Sequence, residues 1–242
     1  GDHEVIQDST GVLMLRKKHM GSIPVHLDHT LKDRESWEKH FKWRLNPDSP
    51  ERMPRDWDAA RKVWNDEDCP FPRSIGMGSF YGWIRDWMGM ENVSYLVYDD
   101  PALFEEIVVT LTDVKVAVLK KLYEHGAKFD LATMWEDMCF NSGPLLAPEH
   151  FKKYLVPQMK RVTEILYAHG CDIVFVDCDG KIDELVPHWL DAGVNCMFPI
   201  EVGTWGADPI ELRKRFGKQL LMMGGFDKHI LMHGPAADEI RK

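Results

Sequence analysis

Five short apolar runs in this 242-residue chain each end in a tip of acids or glycines. They are IGMGSF with Gly76 and Gly78, LATMWEDM with Glu136 and Asp137, IVFVDCDG with Asp177 and Asp179, VNCMFPIE with Glu201, and LLMMGGFD with Asp227. Asp177 to Glu201 spans 24 positions and Glu201 to Asp227 spans 26, and each gap holds a helical stretch closed by glycine, KIDELVPHWLDAG and ADPIELRKRFG. A strand, helix, strand repeat of about 25–30 residues marks parallel β/α units, whose strands all point one way and whose tips gather on one face. The carboxylates therefore converge. An unpaired carboxylate beside an apolar core costs on the order of several kcal/mol, so a metal, a cationic ligand, helix N-termini or shared protons must compensate them.

The spacing predicts parallel strands near residues 73–78, 128–135, 171–177, 194–200 and 219–224. A long helix runs from Pro101 to Gly126, and a second from Pro148 to Gly170 is bent at Pro157, whose ring frees the carbonyl of Lys153. Residues 4–29 read instead as a β-meander with turns at Ser9–Gly11 and Gly21–Ser22. Two short helices follow, one capped by Asp33 and one after Pro54. A closed (β/α) barrel needs eight strands and only about five can be placed.

Composition narrows the class. No apolar stretch approaches the roughly 18 residues of a membrane helix. The net charge is −9, with Lys and Arg scattered among acids, which disfavours a nucleic-acid partner. Five cysteines without a CxxC pair indicate a reducing compartment, hence a cytoplasmic protein.

At this point a resemblance emerges. WEDMCFNSGPLLAPEHFKKYLVPQMKR, IVFVDCDGKIDELVPHWLDAGVNCMFPIEVG and DPIELRKRFGKQLLMMGGFDKHIL resemble the uroporphyrinogen decarboxylase (URO-D) superfamily, and GSFYGWIRDWMGMENVSYLVYDDPALFEEI is similar to its third-strand segment. The likeness extends over roughly residues 30–242 and implies a TIM-type (β/α)₈ barrel, truncated at both ends here. Residues 1–242 then form one domain, with the meander and short helices in 1–70 and βα units in 71–242. The superfamily holds two chemistries. Decarboxylases of porphyrin biosynthesis bind a substrate rich in carboxylates, which an acidic mouth would repel. Corrinoid-linked methyltransferases hold zinc with a His-x-Cys pair at the fifth-strand tip, where this chain has Asp177 and Asp179. An oxygen set of Asp177, Asp179 and Glu201 suits a harder divalent ion or weakly held zinc.

The resemblance thus implies an enzyme, closer to one-carbon methyl transfer than to haem synthesis. Its alternatives are decarboxylation of uroporphyrinogen or another carboxylic acid, and a non-catalytic barrel binding a metal or cation. The expected catalytic residues are Asp177, Glu201 and Asp137, with Trp135, Glu136, Gly78, Phe80, Gly225 and Asp227 contacting a small-molecule substrate. A corrinoid protein is a candidate partner, and a homodimer is left open. Bland roles compete: Asp179 or Asp183 could cap the next helix, the Gly224–Gly225 tip could be a plain turn, and the tryptophans could be packing. Glu136 and Asp137, adjacent at a strand end, must face opposite ways.

Overall fold

The computed structural model describes residues 2–232 apart from Met20 and Ser22. Strands β1 (His3–Gln7), β2 (Leu13–Lys17) and β3 (Val25–Asp28) form the expected antiparallel meander. Its first turn is tied by Asp8, which accepts hydrogen bonds from Thr10 and Val12. The second turn includes Ser22, which lies outside the described residues.

The main sheet consists of β4 (Ser74–Gly78), β5 (Leu131–Trp135), β8 (Ile173–Asp177), β9 (Cys196–Ile200) and β10 (Leu221–Gly224), joined in that order. All four pairings are parallel, as the repeat requires. A small hairpin, β6 (Cys139–Phe140) with β7 (Gly143–Pro144), branches from the β5 tip. Each strand lies beside its predecessor in the chain, the barrel-type order, whereas a doubly wound sheet would reverse direction midway. Among the described residues β4 and β10 are edges and the sheet does not close on itself.

Alternation along the strands explains the two faces. Ala132, Met134, Val174, Val176 and Met197 are buried on the side covered by helices. Each large apolar side chain removed from water contributes about 1.5–3 kcal/mol. Helix Pro101–Glu124 presents Leu103, Ile107, Leu111, Leu119 and Leu122 to this layer and packs on helix Val156–Ala168. The opposite face carries Leu131, Thr133 and Trp135 beside Ile173, Phe175 and Asp177, none fully buried. Asp177 thus ends the face of the sheet opposite the buried one.

Local details depart from expectation for identifiable reasons. The Pro148–Gly170 stretch contains a π-helical turn, Phe151–Leu155, immediately before helix Val156–Ala168. The extra residue in that turn leaves Pro157 in the first turn of the following helix, where no amide donor is needed. The stretch after Gly180 becomes helical only at Val186–Asp191, and no side chain caps it. The capping role open to Asp179 or Asp183 is therefore not taken up. Asp33 caps its helix as expected, while the helix Trp57–Trp64 is capped by Asp56. No helix among the described residues is long and apolar enough to cross a membrane.

The N-terminal segment is fastened to the helical layer chiefly at one carboxylate, with Arg34 also 3.4 Å from Asp100. Glu106 accepts from Lys42 at 2.8 Å, Arg34 at 2.7 Å and the Trp37 indole at 3.1 Å. Lys42 foremost, against a smaller opposing effect of burial, and then Arg34 and Trp37 hold its carboxyl down to about 2. A lowered carboxylate stabilises the fold above the ordinary value of 4.5 and loses that contribution as pH falls toward 2. Glu106→Gln is expected to speed amide exchange across residues 33–45 by roughly tenfold at neutral pH. The difference from wild type should vanish near pH 2; equal exchange at pH 7 would show that the clamp does not hold the segment.

Candidate active site

The tips of β5, β8 and β9 bring four acids together. Asp177 stands level with Trp135 on one side and Phe198 on the other. Among the described residues its carboxylate has neither a hydrogen-bond nor an ion-pair partner. Burial first, then Asp137 and Asp179, push its pKa above the usual carboxylate value. Asp179 is raised by burial, then by Glu201 and Asp137, with Lys228 partly opposing. Asp137 and Asp179 are thus within electrostatic reach of Asp177, and Glu201 within reach of Asp179.

Two of the acids are compensated by the protein's own cations, a source of compensation that the strand tips did not reveal. Arg85, on helix Gly82–Met88, donates to the Asp137 carbonyl at 2.6 Å and lies 3.6 Å from its carboxylate. Asp137 has φ of +40°, a region costly for a residue with a β-carbon. The Arg85 contact holds that conformation. Lys228 lies 3.4 Å from Glu201, whose other oxygen accepts the Gly180 amide at 2.9 Å. Gly180 has φ of +100°, and a β-carbon there would meet the Cys139 backbone at 2.8 Å. Only glycine therefore brings its amide to Glu201. Asp177 and Asp179 are left as the unpaired acids.

Glu136 and Phe80 face the core instead of the mouth. Glu136 is fully buried and accepts from the Ser79 hydroxyl (2.8 Å) and the amides of Phe80 (2.9 Å) and Tyr81 (2.8 Å). It stitches the β4 tip to the β5 tip, which explains why Asp137 turns outward. Phe80 is fully buried beneath the Lys115 ammonium, 4.9 Å from its ring. Burial pushes the Lys115 amine down to about 8. The chemistry of Arg85, Lys228 and Lys115 was missed because they belong to no acidic tip; a lysine beside Asp227 and an arginine one turn into the helix after the glycine-rich tip were the available signals.

The remaining candidates lie at or beside the strand tips. Trp135 packs edge-to-face on Trp83 at 5.2 Å, and Trp83 stacks on Trp87 at 5.8 Å. Gly78 has φ of +64° and lies against the Trp83 indole. Gly225 is exposed, its amide donating to Ile200 at 2.9 Å. Asp227 does not join the acids: it accepts the His229 amide at 2.9 Å, the foremost cause of its lowered pKa. Cys178 is buried away from the mouth, its thiol pushed up by Cys139 and by burial.

A metal does not fit the donor set as it stands. Among the described residues no three His, Cys, Asp or Glu side chains are grouped to hold one. Glu201 is already engaged by Gly180 and Lys228.

The sequence model of the uroporphyrinogen decarboxylase (URO-D) family matches residues 85–242. The segment from about residue 30 to 84, which shares the resemblance, lies outside that match. No curated protein matches the chain. Among solved structures, a methyltransferase from Methanosarcina mazei superimposes with a TM-score of 0.55 at 12% identity, over 89% of this chain and 59% of that one. At such identity the likeness shows the fold alone, and this chain spans only 59% of that protein's length. A family match across well over half the chain is decisive for its ancestry: the protein belongs to the uroporphyrinogen decarboxylase (URO-D) family.

Proposed function

We propose that the protein is a methyl-transferring enzyme of this superfamily, with Asp177 as its general acid. The observation that carries the reading is the unpaired, half-buried Asp177 carboxyl at the β8 tip, its pKa raised by burial and then by Asp137 and Asp179. A carboxyl whose proton is held more tightly than usual is suited to donate it to a departing group. As a nucleophile takes the methyl carbon, the carbon–heteroatom bond breaks and its electron pair stays on the departing oxygen or nitrogen. Asp177 supplies a proton to that departing atom, turning a departing oxyanion into an alcohol or a departing neutral amine into an ammonium. Asp137 and Asp179 maintain the raised pKa, Arg85 fixes Asp137, and Trp135 walls the mouth. A corrinoid carrier is the methyl acceptor that the resemblance suggests.

The charge balance argues against a polycarboxylate substrate. Two cations, Arg85 and Lys228, stand against four acids, and Asp177 and Asp179 remain unpaired. Like charges at about 4 Å repel by roughly 1–4 kcal/mol in partly solvated surroundings. The test runs two assays on the same protein: methyl loss from a panel of O- and N-methyl donors with a reduced corrinoid acceptor, and carbon dioxide release from uroporphyrinogen. Methyl transfer is expected, and decarboxylation without it would overturn the proposal.

A further inference from the structure

We infer that the cleft between the β9 and β10 tips binds the zwitterionic end of the substrate, a methylated ammonium joined through a short link to a carboxylate. The inference rests on the methyl-transfer reading and names the donor's chemical class. The cleft has a volume of about 280 Å³ and is bounded by Asp179, Glu201, Thr204, Gly225, Phe226 and Lys228 among others. That size suits a small molecule.

Two charges of opposite sign face this space with capacity to spare. The Asp179 carboxylate accepts no hydrogen bond among the described residues, and Glu201 beside it adds a second negative charge. Glu201 is matched by Lys228 and the Gly180 amide, so Asp179 remains as the surplus anion. Phe226, half-exposed on the cleft wall, offers the ring face that attracts an alkylated ammonium. Lys228 carries three N–H donors, and the single 3.4 Å contact to Glu201 leaves two of them for a ligand carboxylate. Its side chain is 62% exposed and free to adjust. Thr204, on the same wall, adds a hydroxyl that the protein leaves unused among the described residues. A purely cationic ligand would leave Lys228 idle, and a purely anionic one would meet Asp179 unpaired.

Calorimetric titration with three probes of nearly one shape separates these cases: trimethylglycine, tetramethylammonium, and tert-butylacetate, in which carbon replaces the ammonium nitrogen. Trimethylglycine is expected to bind at least about tenfold more tightly than either singly charged probe, since each charged contact is worth at least that factor. Lys228→Met should remove its advantage over tetramethylammonium, and Asp179→Asn its advantage over tert-butylacetate. Equal binding of all three probes, no binding of trimethylglycine, or variants that keep both preferences would overturn the inference. Such results would leave methyl transfer standing on its own assay, because the donor panel also contains uncharged methyl ethers.

Discussion

Replacing Glu136 by alanine is expected to cost about 3–5 kcal/mol of stability, the largest loss from any single substitution at the rim of the sheet. Its carboxylate is fully buried and satisfies the Ser79 hydroxyl and the Phe80 and Tyr81 amides together. Alanine would leave three donors dry, each costing about 1–3 kcal/mol, and open a cavity. No ion pair offsets its burial: Lys115 stands nearby, but burial and not pairing dominates both groups, raising Glu136 and lowering Lys115 to about 8. Because the Glu136 pKa is raised, its charge begins to cost stability as pH climbs above 4.5. Glu136→Gln keeps one acceptor without the charge and should recover a large part of the loss. Urea unfolding at pH 7 measures both variants, and a loss below about 1 kcal/mol for alanine would show that the β4 tip is held by something else.

Asp177→Asn should do the opposite to stability while removing function. Methyl transfer is expected to fall by about 10²- to 10⁴-fold, the usual worth of a positioned acid. The fold should gain on the order of 1 kcal/mol at pH 7, after discounting the repulsion for solvent screening. The sign follows from the raised pKa: the folded state holds its proton more tightly, so the penalty on the charged form appears as pH rises above 3.8. At pH 3.5 the two proteins should be nearly equally stable. Rate measurements with denaturation at both pH values decide the matter, since a residue conserving the fold would lose stability and leave turnover unchanged.

The five strand positions and their common direction were legible because they depend on local quantities: apolar run length, helix length and the glycines between. Each observed strand falls within its expected range, displaced by no more than three residues at its start. The expectation that Asp137, Asp177, Asp179 and Glu201 gather at one end of the sheet followed from that geometry alone. Other features were illegible for a different reason. WED at the β5 tip does not reveal which acid enters the core; that depends on Ser79, Phe80 and Tyr81, more than fifty residues upstream, presenting donors to Glu136. Nor does GGFDKH indicate that Lys228, and not Asp227, reaches the Glu201 carboxylate.

The sequence by itself determined the parallel α/β scaffold, the family and the end of the sheet on which the acids gather, because periodicity and strand polarity are carried within short stretches of chain. The tertiary structure alone decided which acids are paired, which is buried and which stands free. Desolvation and charge pairing act over a few ångströms between residues far apart in sequence, so Asp177 acquires its raised pKa only when the neighbouring strand tips are set beside it.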